Sequence, residues 1–255
     1  MNQMCCYIIT TLSLTLSVPM AFASASVQAQ ATSGFSQRVA PYQVSIKFNA
    51  PRKKAPPVTA GGATRGFCAV NENAKSIASL TPKDKEGTDE VALTLSNRPS
   101  FFFYLPSSPA RTAEFLLLTD DDSTIVYQQT FTLPERAGVV EYQLPPDAPS
   151  LEVGKQYHWF ITLGCDTAMG ASGNPTVEGW IERTEAPSAL VKALQKADSG
   201  TYATLYAESG IWHETLAFLA NERRKAPTST RSLADWRDLL KSVGLERIAN
   251  EPLAN

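Results

Sequence analysis

Charge of either sign is absent from the first 37 residues of this 255-residue chain, where the first ionised side chain is Arg38. Within that stretch residues 7–22 are apolar and hydroxyl-rich, and they lead into three small-x-small triplets: Ala21-Phe22-Ala23, Ala23-Ser24-Ala25 and Val27-Gln28-Ala29. A hydrophobic run that ends in such triplets is the pattern of a secretory signal and its cleavage site. Residues 1–29 therefore read as a signal peptide, and the mature protein as exported to the periplasm, the outer envelope or the medium. The run is too short and too rich in Ser and Thr for a comfortable membrane span, so no span is expected after cleavage. Its only positive charge is the terminal amine, which leaves an uncleaved anchor as the weaker alternative.

Histidine is nearly missing as well. His158 and His213 are the only two, so candidates for a general base near neutral pH are few. The chain has no Gly-x-Ser-x-Gly elbow, no His-Glu-x-x-His helix and no dinucleotide fingerprint, and its Gly61-Gly62-Ala63-Thr64-Arg65-Gly66 run lacks the Gly-Lys-Ser/Thr ending of a phosphate loop. No cofactor is expected. A formal net charge of −2 gives no electrostatic ground for nucleic acid. Four cysteines are present; Cys5 and Cys6 leave with the signal. Cys68 and Cys165 remain, an even pair in an oxidising compartment, and a disulfide is expected, with two free buried thiols as the alternative. Counted inclusively, the bridge would close 98 residues and stabilise by about 4–5 kcal/mol in the chain-entropy model. Two cysteines and two distant histidines make no zinc spacing, so no metal is expected either.

What is present is β architecture. Residues 30–66 read as a linker, through Pro51-Arg52-Lys53-Lys54-Ala55-Pro56-Pro57 and the Gly-rich run, although Val44, Ile46 and Phe48 alternate as in a strand. From 67 to 185 short apolar runs recur between Pro, Gly, Asn and Asp breaks, the spacing of a sandwich. The strands fall at 77–80, 91–96, 100–105, 111–119, 124–133, 139–144, 156–163 and 176–183. Phe101-Phe102-Phe103-Tyr104-Leu105 is apolar on both faces and belongs in a central, doubly covered strand. Asp120-Asp121-Asp122 joins two strands as a turn. Consecutive carboxylates point apart and no later Glu completes a calcium loop.

Leu151-x-x-Gly154-x-x-Tyr157 leads into a strand with Tyr157, Trp159, Ile161 and Leu163 on one face. It resembles the tyrosine corner of immunoglobulin-like sandwiches, in which the phenol enters the core and its hydroxyl bonds to upstream backbone. An ordinary hairpin turn with a core Tyr is the alternative. His158, on the opposite parity, is expected near solvent.

Beyond Pro187 the period changes, and helices are expected at 188–195, 201–208, 211–224 and 232–242, the last capped by Ser232 and ended by Gly244. Arg223-Arg224-Lys225 closes its helix where the macrodipole favours cations. Tyr206-Ala207-x-x-Gly210-x-Trp212, followed by Leu216, Leu219 and Pro227, resembles one tetratricopeptide-type hairpin. A single repeat buries no solenoid core, so helices packed on the sandwich or on one another are the plainer expectation. The fold class is thus mainly β: an immunoglobulin-like antiparallel sandwich over 67–185, followed by a helical segment over 186–255.

Thr64-Arg65-Gly66-x-Cys68, Arg98-Pro99-x-Phe101-x-Phe103-Tyr104-Leu105-Pro106, Leu151-Glu152-Val153-Gly154-Lys155-x-Tyr157-His158-Trp159, Cys165-Asp166, Val177-Glu178-Gly179-Trp180-Ile181-x-Arg183 and Tyr206-Ala207-x-x-Gly210-Ile211-Trp212 occur in this order. Together with Trp236-x-x-Leu239-Leu240-x-Ser242-Val243-Gly244-Leu245, they resemble the cyanobacterial family known as domain of unknown function 928. The likeness runs from Thr64 to Leu253. It implies an exported cyanobacterial protein, brings no activity and carries over no functional residue.

The expected role is a non-catalytic module that binds a protein or envelope partner. Trp180, Phe160 and Trp212 are the candidate recognition aromatics; Trp180 and Phe160 are candidates for a surface platform, with burial in the core or under a second sheet the commoner place for an aromatic in a strand. A carbohydrate-binding sandwich and a hydrolase using scattered carboxylates such as Glu178, Glu182 and Asp166 are the alternatives. Oligomeric state is left open.

Overall fold

A computed structural model describes residues 45–51, 53–56, 75–84, 87–165 and 174–254, all within one compact unit, Gln43–Asn255. Among the described residues eight strands form two sheets. They are β1 (Ala78–Ser79), β2 (Ala92–Thr94), β3 (Ser100–Leu105), β4 (Thr112–Thr119), β5 (Ile125–Thr132), β6 (Gly138–Gln143), β7 (Gln156–Gly164) and β8 (Thr176–Arg183). One sheet has the order β1-β3-β6 and the other β2-β8-β7-β4-β5. Four helices follow: α1 (Ser188–Lys196), α2 (Tyr202–Glu208), α3 (Trp212–Lys225) and α4 (Thr230–Ser242).

Period-2 alternation explains the layering. Phe101 and Phe103 of β3 join Phe115 and Leu117 of β4, Tyr157, Trp159 and Ile161 of β7, and Val177 and Ile181 of β8 in one core between the sheets. Phe102 and Tyr104, one residue out of phase, join Trp212, Leu216, Leu219, Trp236 and Leu240 in a second core beneath the helices. β3 is therefore covered on both faces, as its unbroken apolar run implies. The helices pack on the three-stranded sheet; they do not stack into an array.

Several details differ from the sequence reading. The five-stranded sheet is not wholly antiparallel, because β2 runs parallel to β8, with Ala92 opposite Ile181. The cap of α4 is Ser229, whose hydroxyl accepts from Ser232 N at 3.3 Å; the helix starts at Thr230 and not at Ser232. Ile46 and Phe48 form no strand. Ile46 is buried among the helices and Phe48 meets the Trp212 ring edge-on at 4.8 Å. Lys53–Ala55, inside the segment read as linker, lies alongside residues 89–91, with Val91 N donating to Lys53 O at 2.9 Å.

At the corner, Gly154 holds φ +80°, a conformation glycine adopts without strain. Glu152 N donates to the Tyr157 hydroxyl at 3.0 Å. Cys165 closes β7, while Cys68 and Asp166 lie outside the described residues. Among the described residues no helix is long and apolar enough to cross a membrane.

Candidate functional site

The ionisable groups that chemistry would need are held in the framework. His158 projects from β7 away from the inter-sheet core, yet it is fully buried, which corrects its expected place near solvent. Its ring lies flat on Trp180, with centroids 4.1 Å apart and planes 11° apart, and Phe160 packs at the same centroid distance with its ring tilted by 49°. Nδ1 bonds Asp122 Oδ1 at 2.9 Å, while the buried Nε2 makes no hydrogen bond and stands 3.9 Å from Glu178 Oε2. Asp122 reaches the ring because it sits at φ +57° in the acidic turn. Beside it, Asp121 accepts from Thr119 Oγ1, Ser123 N and Ser123 Oγ, which hold its carboxyl down at about 2.

Burial lowers the His158 pKa, opposed by the Asp122 hydrogen bond and charge. It raises that of Glu178, helped by Asp89 and Asp122. The Asp–His pair pins the β4–β5 turn to the sheet and presents no exposed nitrogen to a substrate.

His213 is committed in the same way. Its Nδ1 donates to Ser100 O at 2.8 Å, and full burial pushes its pKa down to about 4. Next to it, Glu214 Oε1 accepts from Thr94 Oγ1, Leu95 N and Ser96 N at 2.8, 2.9 and 3.0 Å, tying the end of β2 to the start of α3. Burial raises the Glu214 pKa against those bonds.

The aromatic candidates divide. Trp180 is 3% exposed and Trp212 is 0% exposed, so neither presents a surface. Trp180 does lie on the face opposite the inter-sheet core, but His158 and the Asp122 turn occupy that face too. The Trp212 indole N–H donates to Leu80 O at 2.8 Å, anchoring α3 to the three-stranded sheet. Phe160 is half-buried. The Arg223-Arg224-Lys225 run is partnered within the fold: buried Arg223 lies 4.9 Å from the Trp236 ring centre, half-buried Arg224 pairs with Glu141 of β6 at 2.6 Å, and exposed Lys225 pairs with Glu222. Among the described residues no group of three His, Cys, Asp or Glu is disposed to hold a metal.

What remains unused is backbone. Each sheet has two edges, whose open N–H and C=O groups invite another strand unless they are covered. β1 is two residues long. β2 is three residues long, its neighbour Val91 is bonded to Lys53, and its end is tied to α3 through Glu214. β6 is closed by the C-terminus: Val139 N donates to Pro252 O at 2.7 Å and Ala254 N to Val139 O at 2.8 Å. Gly138 permits that approach, since a Cβ there would lie 2.6 Å from Pro252 O.

β5 pairs with β4 on one side and, among the described residues, with nothing on the other. It has eight residues, and Ile125, Gln128, Gln129, Thr130 and Thr132 are exposed. No charge occurs from 123 to 134. Leu133 N donates to Arg111 O on the β4 side. By period 2, Phe131 and Gln129 also turn their N–H toward β4, and Thr132, Thr130 and Gln128 turn theirs outward. The inner side chains fix the strand in place, because Gln129 Oε1 accepts from both Tyr127 and Tyr142 hydroxyls, at 3.0 and 2.9 Å. Sequence reading missed this edge, although the missing charge in 123–134 is its visible sign. At its start a cleft of about 530 Å³ opens between Val126, Thr119, Glu152, Lys155 and Tyr157.

Against known proteins, a family model described as Domain of Unknown Function (DUF928) matches residues 60–253. No curated protein matches the chain, and no solved structure matches it.

Proposed function

Because the chain belongs to the DUF928 family, which brings no activity with it, we propose that it is an exported, non-catalytic protein that binds another protein by accepting an extended strand. The open β5 edge carries this reading. It is long, uncharged and backed by a rigid sheet, the conditions under which main-chain hydrogen bonds give affinity and alternate side chains give selectivity. His158, His213 and Glu214 support it, since their hydrogen bonds and burial spend them on the fold. The carbohydrate alternative loses its ground with the burial of Trp180.

Finer features of the same reading stay proposals. Export rests on residues 1–29, and a cyanobacterial envelope on the family resemblance. The immunoglobulin-like character of the sandwich is supported by the bond between Glu152 N and the Tyr157 hydroxyl. The tetratricopeptide-like character of the α2–α3 hairpin is supported by Gly210 at φ +74° between its helices. A Cys68–Cys165 bridge is expected to leave the denatured mature protein without free thiol until reductant is added; two thiols titrating beforehand would refute it.

The strand-accepting role is tested with a photo-crosslinking residue placed at Thr130, on the edge, or at Lys192, on the exposed side of α1, in the protein within its native envelope. Protein adducts are expected from position 130 and not from 192. Equal labelling from both positions would remove the edge from the account.

A further inference from the structure

We propose that the strand accepted by β5 is β5 of a second copy, so that two five-stranded sheets join antiparallel about a two-fold axis into one ten-stranded sheet. The inference rests on the strand-accepting reading above and names its partner.

The outward backbone groups belong to Gln128, Thr130 and Thr132, and two copies of such an edge can bond only where outward residues face outward residues. A two-fold axis at Gln129 does this: Gln128 of each copy faces Thr130 of the other, and Val126 faces Thr132. Every pair along the strand is then uncharged, since 123–134 contains no ionised side chain. No like charges oppose each other, the usual device by which an edge refuses its own copy. Beyond the strand ends the acidic turn 120–122 of one copy comes near the 135–136 corner of the other, which carries Arg136 beside Glu135, although one Asp122 oxygen is already taken by His158. An isologous contact needs one patch that complements itself, and this strand does so in hydrogen bonding.

Side chains agree with the register. Gln128, Thr130 and Thr132 are exposed in the single chain and flank the axis; Thr and Gln pair across strands by hydrogen bonding. Ile125, 59% exposed, is the most exposed large apolar side chain among the described residues and lies at the end of the same edge. A foreign strand would be received by backbone just as well, but the absence of charge across the edge favours the chain's own copy.

Sedimentation equilibrium of the purified protein is the test. A reversible dimer is expected by about 100 μM, the range in which small, transient interfaces are populated. Thr130→Pro removes an outward N–H and leaves the β4 ladder intact, so it should give a monomer with an unchanged circular dichroism spectrum. Should that variant fold poorly, the double substitution Gln128→Lys, Thr130→Lys sets like charges opposite each other in the proposed register and should also give a monomer. A fluorescent peptide of sequence 123–134 should bind wild type and not the double variant. A wild-type chain that stays monomeric, or a dimer that survives both variants, overturns the inference. A monomer that still crosslinks an envelope protein from position 130 overturns self-pairing and leaves strand acceptance standing; a monomer that crosslinks nothing overturns both.

Discussion

The two edges of the five-stranded sheet, β2 and β5, belong to one layer, yet they are finished in opposite ways. At β2 the strand is three residues long and Lys53–Ala55 runs beside its approach. Glu214 then takes up Thr94, Leu95 and Ser96. At β5 the strand is eight residues long and its outer groups meet no strand among the described residues. The buried carboxylate and histidines, which elsewhere would suggest chemistry, all serve closure or turn anchoring. The contrast is between an edge closed by side chains and neighbouring chain and one whose outward backbone groups meet no partner among the described residues.

The largest expected effect comes from breaking the closed side. Trp212→Ala removes a fully buried indole, its bond to Leu80 O and its contact with Phe48. About 4 kcal/mol of stability should be lost, read from urea unfolding. The open side answers to one substitution and ignores its neighbour. Gln129→Pro deletes an inward N–H and should cost about 3 kcal/mol or more, whereas Thr130→Pro should cost under about 1 kcal/mol, as edge strands tolerate proline with its nitrogen outward. Equal costs for the two would mean that both faces of β5 are bonded.

Acid should act through the two buried histidines. His213 titrates at about 4 when folded, against an ordinary value near 6.5 when unfolded. Below about 6.5 the unfolded chain takes the proton first, so stability present above that pH is lost as pH falls toward 4, by about 3 kcal/mol. His158 is shifted the same way and adds to the loss. Glu214, raised by burial, acts with the opposite sign, losing stability as pH rises through its own value. Unfolding of His213→Asn, whose amide can still reach Ser100 O, should show a flatter dependence between pH 6.5 and 4; an unchanged slope would detach the histidine from acid stability. Glu214→Ala, which strips three donors of their acceptor, should cost about 2 kcal/mol while leaving association through β5 unaltered.

Much of the framework was legible beforehand. Strands β3 and β8 have the bounds that alternation predicts, and the two-faced apolar run of β3 announced a layer on each side of it. The shift from period 2 to helical period at Pro187 placed all four helices. The misses share a cause. Alternation tells which side of a sheet a residue lies on, but not whether that side is wet, so the pattern leaves Trp180 open between a surface platform and burial and sets His158 near solvent, whereas both are buried. The Asp122 turn that reaches His158 folds back from another hairpin, a tertiary contact with no local period. Ile46 and Phe48 were seen as apolar but not as a docking segment, for the same reason. The candidate site was the least legible part, because an open edge is made of backbone groups, which every residue carries; only the uncharged run from 123 to 134 hints at it.

Amide hydrogen exchange along β5 tests the central claim most directly. In dilute protein the Gln128, Thr130 and Thr132 amides should exchange fast while those of Gln129 and Phe131 stay protected, and raising the concentration should slow the first three. Protection of all five amides at every dilution would show that the edge is already covered within the single chain and would contradict the account.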